Sequence, residues 1–296
     1  MGWAILFMNK QRRKFLQIGS MFGVGAALFP YELVAKTFDA AKLSKFGLQL
    51  YSVKEEMAKD AAGTMRKLAG FGYKQFEGFD GGKGILWGMK PAECKALLSE
   101  IGVDFISSHA NVFKDLDAQA EQASEVGMKY LICPYIGAQK SVEDWKKVAD
   151  QFNAAGETLK SHGLRFAYHN HDYTFKMLEG QLPQDVLMEN TDPDLVDFEL
   201  DMYWAFVAGY DPLEYVSRFP GRFKLCHVKD AEAANGSNAH DRGVLLGTGE
   251  MPYAEIIKKS KKYGMEYFVV EQERFEGTNP MEAAEKNAAY LVKLKV

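Results

Sequence analysis

The chain has 296 residues, 40 acidic against 36 basic, a formal net charge of −4 and 47% hydrophobic residues. That composition excludes a disordered, collagen-like or coiled-coil chain, and its acidic balance gives no electrostatic footprint for nucleic acid or an anionic membrane. Three cysteines, Cys94, Cys133 and Cys226, are an odd number that cannot build a disulfide framework; Cys133 and Cys226 lie in apolar runs and read as small buried residues.

Residues 1–35 stand apart from the rest. Lys10, Arg12, Arg13 and Lys14 form a basic cluster, and an apolar stretch over residues 18–29 follows, ending at Pro30. A basic segment before so short an apolar run reads as an export signal, too short to span a bilayer. Arg12-Arg13-Lys14-Phe15-Leu16 resembles the twin-arginine export motif, which implies a folded protein delivered to the periplasm of a bacterium, with no stable membrane insertion after processing. Ala35 is a candidate last residue of the signal, and Met8, after the apolar residues 1–7, is an alternative start. Loss of residues 1–35 leaves 39 acidic against 32 basic residues.

From residue 46 short apolar runs alternate with helical periodicity. Strands are predicted over 46–52, 75–79, 104–109, 130–134, 165–171, 196–201, 223–228 and 267–271, each too short for a helix and rich in Val, Ile, Leu, Phe and Tyr. Between them lie amphipathic stretches such as Cys94, Leu97, Leu98 and Ile101, and Trp145, Val148, Ala149, Phe152, Ala155 and Leu159. Gly72, Gly102, Gly127, Gly163 and Gly264 stand just before the next strand, where a left-handed residue stops a helix. Eight strand–helix units over about 250 residues predict a single-domain (β/α)₈ TIM barrel, residues 40–296. An open doubly wound sheet is disfavoured: Gln49-Leu-Tyr-Ser-Val follows the first strand in place of a glycine fingerprint, and Gly81-Gly82-Lys83-Gly84 lacks P-loop spacing.

In such a barrel the active site lies at the C-terminal strand ends. Those ends carry Tyr51, Glu77, His109, His169 with His171, Asp201, His227 with Lys229, and Glu271 with Glu273. Four of the six histidines are among them; only His162 and His240 lie elsewhere. His169, Asp201, His227 and Glu271 end four consecutive strands, so their side chains can converge. Two imidazoles and two carboxylates suit one divalent ion, Mn²⁺, Zn²⁺, Co²⁺ or Fe²⁺.

Gly47-Leu-Gln-Leu-Tyr-Ser-Val, Phe166-Ala-Tyr-His-Asn-His-Asp, Glu199-Leu-Asp-Met-Tyr-Trp and Leu225-Cys-His-Val-Lys-Asp together resemble the xylose-isomerase-like barrels. That sugar isomerase/epimerase family also contains inosose dehydratase and the endonuclease IV type enzymes. The resemblance implies a divalent metal held by Glu, Asp, His and Glu at the ends of strands five to eight, which match His169, Asp201, His227 and Glu271. Strand five departs, with histidine in place of a glutamate that in the family pairs with the last glutamate as acid and base. Either His169 or His171, two residues apart on one strand face, can be the ligand. Trp204 stands where several relatives carry a further histidine, which weakens a multi-metal site.

The expected chemistry is proton abstraction next to a carbonyl, as in isomerisation, epimerisation or β-elimination of a sugar. Glu271 is then ligand and base, with His171 as a second proton handler, or Lys229 if the metal lowers its pKa. Glu77 and His109 are expected to bind substrate hydroxyls, and Tyr51, Trp87, Tyr203 and Trp204 to offer aromatic faces to a sugar ring. The loop 231–249, with Asn235-Gly-Ser-Asn, reads as a lid. The substrate is a small carbohydrate, with no phosphate-binding signature; a lyase or dehydratase on a keto-sugar or keto-glycoside is the alternative, and a non-catalytic periplasmic sugar-binding protein a third reading. An abasic-DNA nuclease needs a basic groove, which this composition does not provide. A homo-oligomer is compatible with the sequence. Replacing Arg12 and Arg13 by lysines is expected to leave the folded protein in the cytoplasm; normal export of that variant, seen by cell fractionation, counts against the twin-arginine reading.

Overall fold

The computed structural model describes residues 43–233 and 242–296. Among these, eight parallel strands close into a barrel: β1 Gly47–Gln49, β2 Gln75–Phe79, β3 Asp104–His109, β4 Tyr130–Cys133, β5 Arg165–His169, β6 Val196–Asp201, β7 Phe223–Val228 and β8 Tyr267–Val270. Each pairs with its neighbours in sequence, and β8 closes on β1 through Gly47↔Val269 and Leu48↔Val270. Ala40–Val296 forms one compact unit. The export segment and the tip of the 231–249 loop lie outside the described residues. No described helix is long and apolar enough to cross a membrane.

Four strands are shorter than the sequence suggests, three of them with a local cause. The side-chain oxygen of Gln49 accepts from the Tyr51 amide (3.0 Å), bending the chain after β1 into a 3₁₀ turn, Leu50–Val53. β4 stops at Cys133 because Pro134 has no amide hydrogen to give the ladder. Beyond β5 the Asn170 side chain takes over the pairing, accepting from the Asp201 amide (2.9 Å) and donating to its carbonyl (3.2 Å). β8 ends at Val270, one residue before Glu271.

The helix Val142–Ser161 shows how the outer layer forms. Ser141 caps it by accepting from the Asp144 amide (3.1 Å). Trp145, Val148, Ala149, Phe152, Ala155 and Leu159, the predicted face, are all buried. Phe152 packs on Phe166 and Tyr168, which face outward from β5, with ring centroids 4.9 and 5.0 Å apart. Burying each such large side chain contributes about 1.5–3 kcal/mol. The helix ahead of β2 ends at Gly72 with φ +111°, and the one ahead of β4 at Gly127 with φ +96°, the left-handed stops expected there. The three cysteines are buried and unpaired.

Inside the barrel two layers are stacked. The lower is apolar: Ile106, Tyr130, Ile132, Ala167, Leu225 and Val269 form a separate buried cluster. Because alternate residues of a strand face inward, the next inward positions, His169, His227 and Glu271, lie at the C-terminal mouth. The apolar layer is the floor on which a polar cluster rests.

Gly156 provides a test of the outer packing. A Cβ there would sit 2.7 Å from the Leu195 carbonyl oxygen. Glycine to alanine inside a helix ordinarily gains up to about 1 kcal/mol. Gly156→Ala is instead expected to cost about 1–3 kcal/mol through overpacking, read by urea denaturation; a stabilised variant contradicts the close approach.

Candidate functional site

Four consecutive strand ends deliver their side chains to one point. His169 Nε2 lies 3.1 Å from His227 Nδ1, which lies 3.1 Å from Glu271 Oε2. Asp201 Oδ2 faces both imidazoles, at 3.4 and 3.6 Å. One donor atom from each of these four buried residues falls within 4.8 Å of the others. Their alignment follows from the ladder, where Asp201 pairs with His227, and from Asn170, which fixes the Asp201 backbone. The other Asp201 oxygen accepts from the Trp204 amide (2.9 Å), capping the helix Met202–Val207.

A second group lies beneath, and His227 belongs to both. Its Nε2 donates to Glu77 Oε1 at 2.8 Å and faces Glu199 Oε2 at 3.4 Å. His109 Nε2 bridges the same two carboxylates, at 3.2 Å from Glu77 and 3.0 Å from Glu199. Glu77 also accepts from Gln49 (2.8 Å) and from the Ser107 hydroxyl (2.6 Å). This corrects the expectation for Glu77 as a substrate-facing residue. Strand β2 runs on to Phe79, so Glu77 sits in its middle, fully buried, and orients imidazoles. Glu199 was missed, although Asp197, Glu199 and Asp201 alternate along β6 and so share its inner face. Asp197 takes the lowest of these positions and pairs with Arg165 of β5.

Burial and charge set the protonation of the group. Burial pushes the Glu199 carboxyl up to about 7, and the nearby Glu77 charge adds to it. For His109 burial acts downward, but Glu77 and Glu199 outweigh it and hold the imidazole up at about 9. Glu271 is held below the usual carboxylate range: burial opposes this, and the charges of Lys229 and His227 overcome it.

Above the cluster opens a cleft of ≈ 790 Å³, lined among others by Tyr51, His109, His169, His171, Trp204, Glu271 and Glu273. Tyr51 is in the turn after β1, edge-on to Phe79, and its hydroxyl accepts from Lys54 (3.0 Å). Trp87 packs behind, against Phe79, and Tyr203 lies edge-on to Trp204. His171 is past the end of β5 and outside the four-residue donor set; its ring stands between Tyr173, Tyr135 and Trp204. Burial, reinforced by His169, lowers its pKa to about 3, so it is a neutral imidazole. Lys229 stands deeper among acids than its strand-end position suggests. Burial alone would lower its pKa, but Glu271, Asp201 and Glu273 together raise it. Its ammonium donates to Glu271 (3.2 Å) and to Glu273 and lies 5.2 Å from the Trp204 ring centre. It is a fixed cation among these side chains, because the carboxylates face it directly. The 231–249 loop begins and ends as a two-stranded ribbon, Asp230–Ala231 against Gly243–Val244. The Asp230 carboxylate, another residue the sequence did not single out, accepts from the Gly247, Gly249 and Met251 amides.

The donor set fits a divalent cation. An ion with four tetrahedral bonds of about 2.1 Å has donor–donor edges of about 3.4 Å, and the edges quoted above run from 3.1 to 3.6 Å. Asp201 Oδ2 is buried without a hydrogen-bond partner. In the upper group the buried carboxylates Asp201 and Glu271 share one permanent cation, Lys229, with Glu273, an arrangement that further positive charge stabilises. With Nε2 donating to Glu77, His227 Nδ1 faces the other donors and would offer them a lone pair once a cation displaces its proton, the carboxylate–histidine pairing that orients metal ligands.

The family model described as a xylose isomerase-like TIM barrel matches residues 65–294. A crystal structure described as a sugar phosphate isomerase/epimerase from Parabacteroides distasonis is 30% identical, covers 86% of this chain and 95% of its own, and superposes with a TM-score of 0.72. A second from the same organism, with the same description, is 29% identical, covers 85% and 98%, and gives 0.74. An inosose dehydratase of Geobacillus kaustophilus is 26% identical over 194 residues, 56% of this chain and 61% of that protein. The chain thus spans about half to three-fifths of the length of such curated relatives. The lower group generates a test. Glu77→Gln removes the charged acceptor behind His227 and is expected to weaken divalent-metal affinity about 10–100-fold, measured by chelator competition and elemental analysis; an unchanged affinity sinks the orienting role.

Proposed function

The chain belongs to the xylose isomerase-like TIM barrel family, and from that premise we propose that it is a metal-dependent sugar isomerase or epimerase, removing a proton from the carbon next to a carbonyl. The observation that carries this is the convergence of His169, Asp201, His227 and Glu271 at the floor of an open cleft. A divalent ion held there supplies Lewis-acid polarisation of the substrate carbonyl, several kcal/mol of stabilisation as charge develops. The chain's own groups handle the protons. Glu271, kept ionised, accepts the proton from carbon at its carboxylate. Lys229, an ammonium hydrogen-bonded to that carboxylate, returns a proton to oxygen, and His171, neutral, is a second acceptor beyond the end of β5. Environments that push neighbouring pKa values apart in this way separate acid from base. The apolar floor and the rings of Trp204 and Tyr135 limit water around them. On the twin-arginine-like segment alone, the proposal places this chemistry in the periplasm.

A second reading, β-elimination from a keto-sugar, is favoured by one observation: His169 stands on β5 where the family pattern has a glutamate, so no second carboxylate faces Glu271 across the substrate carbon. Elimination takes one proton from carbon and gives one to the leaving oxygen, so it needs no proton returned to the opposite face. Turnover of keto-sugars in D₂O with metal present separates the two: deuterium in an intact sugar supports isomerisation, an unsaturated product supports elimination, and neither product from any keto-sugar defeats the enzyme reading.

Glu271→Gln keeps an oxygen near the metal position but removes the proton acceptor. With metal in excess, activity is expected to fall by roughly 10² or more, the scale of a missing general base, with the fold intact by circular dichroism. If the metal-saturated variant turns over within a few-fold of the parent, Glu271 is not the base and His171 or Lys229 becomes the first candidate.

A further inference from the structure

The cleft extends beyond the cluster at its floor, out to Phe113, Gln139 and Gln151. At ≈ 790 Å³ it falls in the range, roughly 300–1,000 Å³, that encloses drug-sized ligands, and a single sugar ring over the His169–Glu271 group leaves its far end unfilled. That end runs along the segments after β3 and β4 and across the helix Val142–Ser161, with Phe113, Tyr135, Ile136, Gln139, Val148 and Gln151 along its wall.

The two aromatic residues there are unusual. Tyr135 is 63% exposed and Phe113 51% exposed, among the most exposed large apolar side chains described. Both are nonetheless held. Tyr135 stands edge-on to His171 (5.3 Å, 88°) and to Tyr173 (5.4 Å, 85°). Phe113 stacks parallel to Phe152 (6.4 Å, 13°), which leaves its other face open. Rigid rings with a free face, beside amide side chains such as Gln139 and Gln151, are what a ring with an apolar face and polar edges requires. The rings adjoin the floor directly: His171 is 4.8 Å from His169 and 5.3 Å from Tyr135.

We propose that Phe113, Tyr135, Gln139 and Gln151 form a second subsite, and that the substrate is a glycoside: a reacting sugar on the floor, glycosidically linked to a second ring lying along these residues. The proposal rests on the reading of the His169–Glu271 cluster as the place of the reacting sugar. The shared chemistry of the second ring is an apolar face, from either a second pyranose or an aryl group.

The test is calorimetric titration of the full chain with methyl β-glucoside, cellobiose and phenyl β-glucoside. At least one two-ring ligand is expected to bind about ten-fold or more tightly than methyl β-glucoside. A gain for cellobiose identifies the second ring as sugar, and a gain for the phenyl glycoside alone identifies it as aryl. In Phe113→Ala/Tyr135→Ala that advantage is expected to vanish with the thermal transition retained, because both side chains are more than half exposed. Gln151→Ala, which removes only an amide, is expected to reduce the gain in part. Equal affinity for one-ring and two-ring ligands, no binding of either two-ring ligand at millimolar concentration, or an advantage surviving the double variant overturns the subsite. Failure of the underlying enzyme reading shows separately, as absent keto-sugar turnover by the metal-loaded protein while the affinity ratio stands.

Discussion

His227 is the hinge of the polar interior. One ring nitrogen is bonded to Glu77 below (2.8 Å) and the other faces His169, Asp201 and Glu271 above. A neutral imidazole carries one hydrogen, and the nitrogen without it is an acceptor. Burial alone would keep His227 neutral, but Glu199 and Glu271 raise its pKa well above the ordinary value, so it is the binding of a cation that would free Nδ1 for the upper group while Nε2–H stays on Glu77. Glu77 in turn is held by Gln49 and Ser107, so strands β1, β2 and β3 fix the orientation of a side chain on β7. The ring's position is as much a property of the closed barrel as of its own strand.

That arrangement places several carboxylates out of water, where an unpaired charge costs several kcal/mol. Two answers are built in. The lower group is neutralised within itself: His109 is raised to about 9 between two acids, and Glu199 is raised to about 7 by burial and by Glu77. The upper group has Lys229 on one side, and the donor geometry on the other suits a divalent cation. Lys229 and His171 both lie against Trp204, yet one is an ammonium and the other a neutral imidazole. Proximity to Glu271 and Glu273 rather than burial makes the difference, since burial pushes both groups toward neutrality.

The apolar layer under the cluster has a role beyond stability. Ile106, Ile132, Ala167, Leu225 and Val269 fill the barrel below the imidazoles, so among the described residues the group meets solvent on its cleft side. Low polarity beneath the cleft opening strengthens each electrostatic contact within the cluster. The loops after β3 and β4 set the length of that opening, as expected of a scaffold in which loops rather than strands vary the substrate.

Period-two apolar runs, left-handed glycine stops and the 3.6-residue stripe of the helix Val142–Ser161 are local signals, and they made the eight strand–helix units and the residues at the strand ends legible from the chain alone. His169, Asp201, His227 and Glu271 could be named for the same reason: each sits at a strand terminus with alternation pointing it inward. The sequence did not disclose depth. Glu77 reads as a mouth residue although the predicted strand 75–79 runs past it, and the bulge between β2 and β3 that sets Ser107 opposite Glu77 is written in neither strand alone. Nor did it fix charge: Lys229 became a held cation only when Glu271 and Glu273 from the neighbouring strand came to face it. Local periodicity determines which side of a strand a residue takes; the layer it occupies and the proton it carries are set by strands distant in sequence, because only barrel closure brings their charges within a few ångströms of one another.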